Sequence, residues 1–175
     1  AVAALEAVPA VQGRFELIEE GQPFAVVVDY AHTPDGLRNV LQTAQQFTAG
    51  RVIVVFGAGG DRDRSKRPVM GRTAAKWADY CIVTSDNPRS EPPEKIIDEV
   101  LAGVQRGTGR GSNHEAVLER EQAIRRAVSV ARPADTIIIA GKGHETYQEF
   151  EDRTIPFDDT EKVRSALRER KGAWE

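Results

Sequence analysis

The stretch FAVVVDYAHTPDGLRNVLQTAQQF, residues 24–47, decides the fold. It opens as a near-continuous apolar run that closes on Asp29 and Tyr30. A polar turn follows, and beyond it Leu37, Val40, Leu41, Ala44 and Phe47 recur at helical spacing on one face. A strand with one wet face would alternate apolar and polar residues. This run does not, so both of its faces are expected to be covered, as in a parallel sheet. The same order of elements recurs along the chain. RVIVVFG (51–57), YCIVTS (80–85) and DTIIIAG (135–141) are further runs of this kind. Ile96, Ile97, Val100, Leu101 and Val104 mark one intervening helical face, and Ala123, Ile124, Ala127 and Val128 another. Ser65 is expected to cap a helix running to Trp77, with Pro68 tolerated in its first turn. HEAVLER (114–120) is a weaker strand candidate and FELIEE (15–20) a candidate edge strand. A last helix is expected from Asp159 to Arg170, acidic at its start and basic at its end. The predicted class is α/β, an open, mostly parallel sheet with helices on both faces.

Composition bounds the function. A chain of 175 residues accommodates one well-buried domain and hardly two. Apolar residues at 40% and charged residues at 29% argue against wholesale disorder. A net charge of −3 gives no reason to expect a nucleic-acid partner. Cys81 is the only cysteine, which excludes an intrachain disulfide and any multi-cysteine metal site; within an apolar run it reads as a small buried hydrophobe. No apolar run reaches the roughly 18 residues of a membrane span. AVAALEAVPAVQG (1–13) lacks a basic start and carries Glu6, unlike a signal peptide, so the expected compartment is the cytoplasm. The chain starts without methionine and in mid-pattern, so it is expected to be a piece of a longer protein. QRGTGRGSN (105–113), with three glycines and no apolar anchor, reads as a flexible connector.

Open α/β sheets bind ligands beyond the carboxyl ends of their strands. Four successive strand ends here are polar, charged or glycine-rich: DYAHTPDG, GAGGDRDRSKRP, DNPR and GKGHE. Together they predict a cleft. GAGGDRDRSK is not a dinucleotide fingerprint, because Arg62 stands where the third glycine belongs. Nor is it a P-loop, since only Lys66 fits that pattern counted from Gly60. Its Arg62, Arg64, Lys66 and Arg67 could hold an anion, or could simply be a solvated basic helix start. His32, His114 and His144 lack metal-ligand spacing. His32 after a strand and near Asp29 suits either a phosphate or ribose contact or a structural role. No serine sits in a nucleophile-elbow context.

GRFE (13–16), VDYAHTPDGLRNVL (28–41), VFGAGGDRDRSKRPVMG (55–71), TSDNPRSEPP (84–93) and IIIAGKGHETYQ (137–148) occur in this order. Together they resemble the C-terminal domain of the Mur ligases, and more narrowly of the branch that adds meso-diaminopimelate in peptidoglycan synthesis. The resemblance covers about residues 9 to 160. It implies a Rossmann-like domain from 14 to 175, preceded at 1–13 by a hinge from an absent central ATPase domain. In such ligases ATP activates a carboxylate as an acyl phosphate and an amine attacks it to give an amide. The resemblance implies ATP-binding roles for Arg14, Asp29 and His32. It implies meso-diaminopimelate contacts for Arg62, Asn87, Arg89, Gly141 and Glu145, with Asp86 supporting them. ATP and magnesium would serve the full-length ligase, and UDP-MurNAc-L-Ala-D-Glu would bind through the other domains. The fragment alone is expected to be inactive and to hold no cofactor. Ala58, where many relatives have cysteine, and Ser65, where glycine is frequent, are small departures. A non-catalytic ligase-like scaffold of the plastid transcription-complex type is the alternative, argued against by the retained Arg14, Asp29, His32 and DNPR. A cyanophycin-synthetase-like ligase and a dehydrogenase fit less well. A loop in which Asp86 and Arg89 merely pair with each other is the bland reading of DNPR.

Overall fold

In the computed structural model, residues 12–107 and 113–173 are described. Of the expected hinge, residues 1–11 lie outside them, as do residues 108–112 of the expected connector. The apolar runs form β2 (Ala25–Asp29), β3 (Val52–Phe56), β4 (Tyr80–Val83) and β6 (Thr136–Ala140). FELIEE supplies only the two-residue β1 (Glu16–Leu17), and HEAVLER only part of β5 (Asn113–Ala116). These six strands make one sheet in the order β1-β2-β6-β3-β4-β5. Only β1 runs antiparallel to its neighbour. A small antiparallel hairpin of β7 (Tyr147–Glu149) and β8 (Thr154–Pro156) stands apart, unforeseen in the sequence.

The missing alternation has the expected cause. Along β2, Val27 faces one core while Val26 and Val28 face another, and β3 and β6 divide in the same way. The first core is closed by α1 (Pro34–Phe47), α2 (Lys66–Trp77) and α3 (Pro93–Gln105). The second is closed by α4 (Arg120–Val130) and α5 (Asp159–Arg170). Helices therefore cover both faces, and every central-strand side chain between Val52 and Phe56 is buried.

Capping partly departs from expectation. Ser65 occupies the position before α2, but its backbone is already helical and its side chain caps nothing. Its hydroxyl donates instead to Asp63 Oδ1 at 2.6 Å, tightening the preceding turn. Thr33, which the sequence reading passed over, caps α1 by accepting from the Gly36 N–H at 3.1 Å. Asp158 caps α5 through the N–H groups of Thr160 and Glu161. Parallel register brings the carboxyl ends together: Asp29 lies beside Ala140, Val55 beside Ile139, and Phe56 beside Val83.

Candidate amino-acid-binding cleft

The loops leaving β3, β4 and β6 converge on a cleft of about 530 Å³. Arg62, Asp86, Asn87, Arg89, Gly141 and Glu145 all line it, and His32 stands at its edge with Tyr30. A second groove of about 560 Å³ lies at the opposite, amino-terminal ends of β2 and β6 and contains none of these residues.

The loop after β3 is held by the loop after β4. Gly60 N–H donates to the Asn87 carbonyl at 2.9 Å. The Asp61 carboxylate accepts from Ser90 Oγ at 2.7 Å and from the Ser90 N–H at 3.2 Å. Beneath them Arg67, only 1% exposed, pairs with Glu91 at 2.6 Å and Glu99 at 2.8 Å and donates to the Gly59 carbonyl. The Arg67 guanidinium and the Asp61 N–H hold the Glu91 carboxyl down to about 2. The four basic residues of this loop therefore divide by role. Arg67 is a buried strut in the cleft wall and Arg64 pairs with Glu99, whereas Arg62 and Lys66 also line the cleft but are exposed and form no salt bridge among the described residues.

The hairpin β7–β8 clamps the DNPR turn from the other side. Gln148 Nε2 donates to the Asp86 carbonyl at 2.7 Å, and Arg89 N–H donates to the Glu149 carbonyl at 3.1 Å. Arg89, which lines the cleft, has a left-handed backbone, φ 52°. Its Nε donates to Glu149 at 2.9 Å and its Nη1 to the Gly60 carbonyl at 2.8 Å. Asp86 and Arg89 thus do not pair with each other. Asp86 accepts from the Asn87 N–H at 2.7 Å and lies 4.0 Å from Arg120. Gly141, at φ 124°, gives that carboxylate room, since a Cβ there would stand 2.6 Å from Asp86 Oδ2.

Behind the cleft is a buried polar network that sequence reasoning missed. Lys142, fully buried, donates to Asn87 Oδ1 and to the Tyr147 carbonyl, each at 2.7 Å, and lies 3.6 Å from Glu145. Desolvation lowers its pKa, with Arg120 adding to the effect, while Asp86 and Glu145 oppose it. Asn87 Nδ2 donates to Glu145 at 3.0 Å. Deeper still, Arg120 and Asp159 form a bidentate pair at 2.8 and 2.7 Å, with neither residue exposed. Arg120 also donates to the Ala140 carbonyl at 3.1 Å, just before Gly141.

Arg14, Asp29 and His32 form a separate group at the ends of β1 and β2. Asp29 accepts from the N–H groups of Phe15 and Ala31 at 2.7 and 2.8 Å, tying the GRFE segment to the strand end. Arg14 is exposed and stands 5.9 Å above the Tyr30 ring, while the His32 ring meets the same tyrosine edge-on. Gly13 packs against the GKGHE loop so closely that a Cβ would lie 2.1 Å from the His144 nitrogen. Arg14 and Asp29 do not line the cleft.

The cleft lining therefore combines guanidinium groups from Arg62 and Arg89 with carboxylates from Asp86 and Glu145. Groups of both signs can pair with the carboxylate and the ammonium of a zwitterion.

Comparison with known proteins gives the family. A family described as "Mur ligase, glutamate ligase domain" matches residues 13–143. UDP-N-acetylmuramoyl-L-alanyl-D-glutamate--2,6-diaminopimelate ligase of Syntrophomonas wolfei is 53% identical over 165 residues, covering 94% of this chain and 33% of the relative. The protein of the same name from Caldanaerobacter subterraneus is 53% identical over 159 residues, covering 91% and 32%. A solved structure of a ligase of that name, 38% identical, superimposes with a TM-score of 0.83 over 97% of this chain and 34% of its own. A UDP-N-acetylmuramate-alanine ligase from Thermotoga maritima, 21% identical, shares the fold with a TM-score of 0.57 over 99% of this chain and 33% of its own. This chain spans about a third of the length of the curated relatives it matches.

Proposed function

The chain belongs to the Mur ligase family as its C-terminal domain, and on that premise we propose that its cleft is the amino-acid site of an ATP-dependent amide ligase. In the full-length protein the reaction would join meso-diaminopimelate to UDP-MurNAc-L-Ala-D-Glu. The observation that carries this reading is that one cleft is lined both by the guanidinium groups of Arg62 and Arg89 and by the carboxylates of Asp86 and Glu145.

Meso-diaminopimelate has an amino-acid group at each end. Arg62 would hold the carboxylate beside the reacting amine, keeping that amine aimed at the activated carbonyl. Arg89 would bind the distal carboxylate. Its Nε and one Nη1 bond are already used by Glu149 and Gly60, which would leave the remaining guanidinium N–H groups for the ligand. Glu145 and Asp86 would take the distal ammonium. Asn87 gives one amide N–H to Glu145 and keeps a second for the substrate.

Arg14, Asp29 and His32 would form half of a nucleotide site whose phosphate loop belongs to another domain, with the domain boundary near residue 14. An exposed guanidinium and imidazole flanking Tyr30 fit nucleotide phosphates and ribose. Magnesium-bound ATP would supply the phosphoryl group that activates the glutamate carboxylate. Magnesium would accompany the ATP phosphates in the full-length ligase.

The test uses the full-length protein. Phosphate release should require ATP, the UDP-dipeptide and meso-diaminopimelate together. Equal turnover when glycine replaces the diamino acid would defeat the reading.

A further inference from the structure

We propose that Lys142 is a positioning residue for amino-acid recognition, fixing the orientation of the Asn87 amide and thereby the place at which Glu145 presents its carboxylate. The inference rests on the reading of the cleft as the amino-acid site. It concerns a residue that lies outside that cleft.

The geometry forces the amide's orientation. An ammonium group is a donor only, and so is a backbone N–H. Lys142 Nζ at 2.7 Å and the Glu149 N–H at 3.0 Å both point at Asn87 Oδ1. The amide must therefore turn its nitrogen the other way, toward Glu145 at 3.0 Å. A flipped amide would set its NH₂ against two donors and its oxygen against a carboxylate. Lys142 itself cannot touch substrate. It is fully buried, and its ammonium donates to Asn87 and to the Tyr147 carbonyl with the Glu145 carboxylate 3.6 Å away.

Burying an ammonium is costly unless it is fully paired, and an apolar side chain of similar length would serve packing at least as well. What an apolar chain could not do is hold Asn87 Oδ1. It would leave Glu145 restrained by an amide whose oxygen is held by the Glu149 N–H alone.

The experiment is kinetic, on the full-length ligase, with KM measured separately for meso-diaminopimelate, ATP and the UDP-dipeptide, alongside Tm. Lys142→Met keeps the length and removes the donor. It should raise the KM for diaminopimelate at least ten-fold while leaving the other two within two-fold. In an Asn87→Ala background the same change should add less than two-fold, because its route to the substrate is already cut. Lys142→Gln, which retains a donor, should fall between wild type and Lys142→Met, and it carries the same cycle if the methionine variant is insoluble. The proposal is overturned if the diaminopimelate KM does not move. It is equally overturned if all three KM values rise together with a fall in Tm, or if the effect persists undiminished without Asn87. A wild-type enzyme that ignores diaminopimelate would instead remove the underlying reading, and the proposal with it.

Discussion

Asp159→Ala is expected to be among the most destabilising single changes in this domain. The side chain is fully buried and holds Arg120, also fully buried, through two bonds at 2.7 and 2.8 Å. Without it the guanidinium retains only the Ala140 carbonyl at 3.1 Å and a distant Asp86 carboxylate at 4.0 Å. Desolvation of Arg120 is opposed chiefly by the Asp159 charge, and its pKa stands raised as a result. Breaking such a pair by removing one partner costs about 3–5 kcal/mol. At this chain length that is a fall in Tm of roughly 6–20 °C. Removing both charges, with Arg120→Met and Asp159→Leu together, should cost less than the single change, because no orphaned ion is left behind. Denaturant unfolding of the 175-residue chain, followed by far-UV circular dichroism, measures both. A single variant within about 1 kcal/mol of wild type would refute the argument. So would a double variant less stable than the single one.

Three further expectations follow from the same structure. Glu91 has its carboxyl lowered from the ordinary 4.5 to about 2, so its stabilising charge is fully present above 4.5 and is lost as pH falls from 4.5 toward 2. Acid unfolding in that window should be blunted in Glu91→Gln, which starts less stable at neutral pH, and identical acid limbs would count against the Arg67–Glu91 strut. Gly141→Ala should impair diaminopimelate use far more than ATP use in the full-length ligase, because the methyl group collides with Asp86 and the backbone lies at φ 124°; steady-state KM values decide it. Cys81, fully buried with its thiol pushed up to about 12 by desolvation, should resist thiol reagents in the native chain and react only after unfolding, as mass spectrometry of labelled protein would reveal.

The four central strands of the sheet were legible because they are buried on both faces and so read as near-continuous apolar runs. The hairpin β7–β8 was not, since YQE and TIP are short, partly polar and without alternation. The cleft residues were legible as strand-end loops and through the motifs they form. Their supports were hidden because Lys142, Arg120 and Arg67 act through partners distant in sequence. A signal existed nonetheless. Arg120 shares the helical face of Ala123, Ile124 and Ala127, Arg67 that of Met70 and Ala74, and Asp159 that of Val163 and Ala166. A charged residue on the apolar stripe of a helix must be paired to be buried, and in each case here it is. Glu149, which holds Arg89, carried no such mark, because the three-residue β7 is too short to reveal a face.

The central claim is that Arg89 reads the distal carboxylate, the group that separates meso-diaminopimelate from lysine. Competition between the two amino acids in the full-length ligase tests it most directly. Sites built around such a group reject the analogue lacking it by up to roughly 10⁴- to 10⁵-fold. Wild type should therefore incorporate diaminopimelate almost exclusively. Arg89→Ala should lose about 2–5 kcal/mol of transition-state binding for diaminopimelate, with little change for lysine. An Arg89→Ala enzyme that kept the wild-type preference would contradict the account.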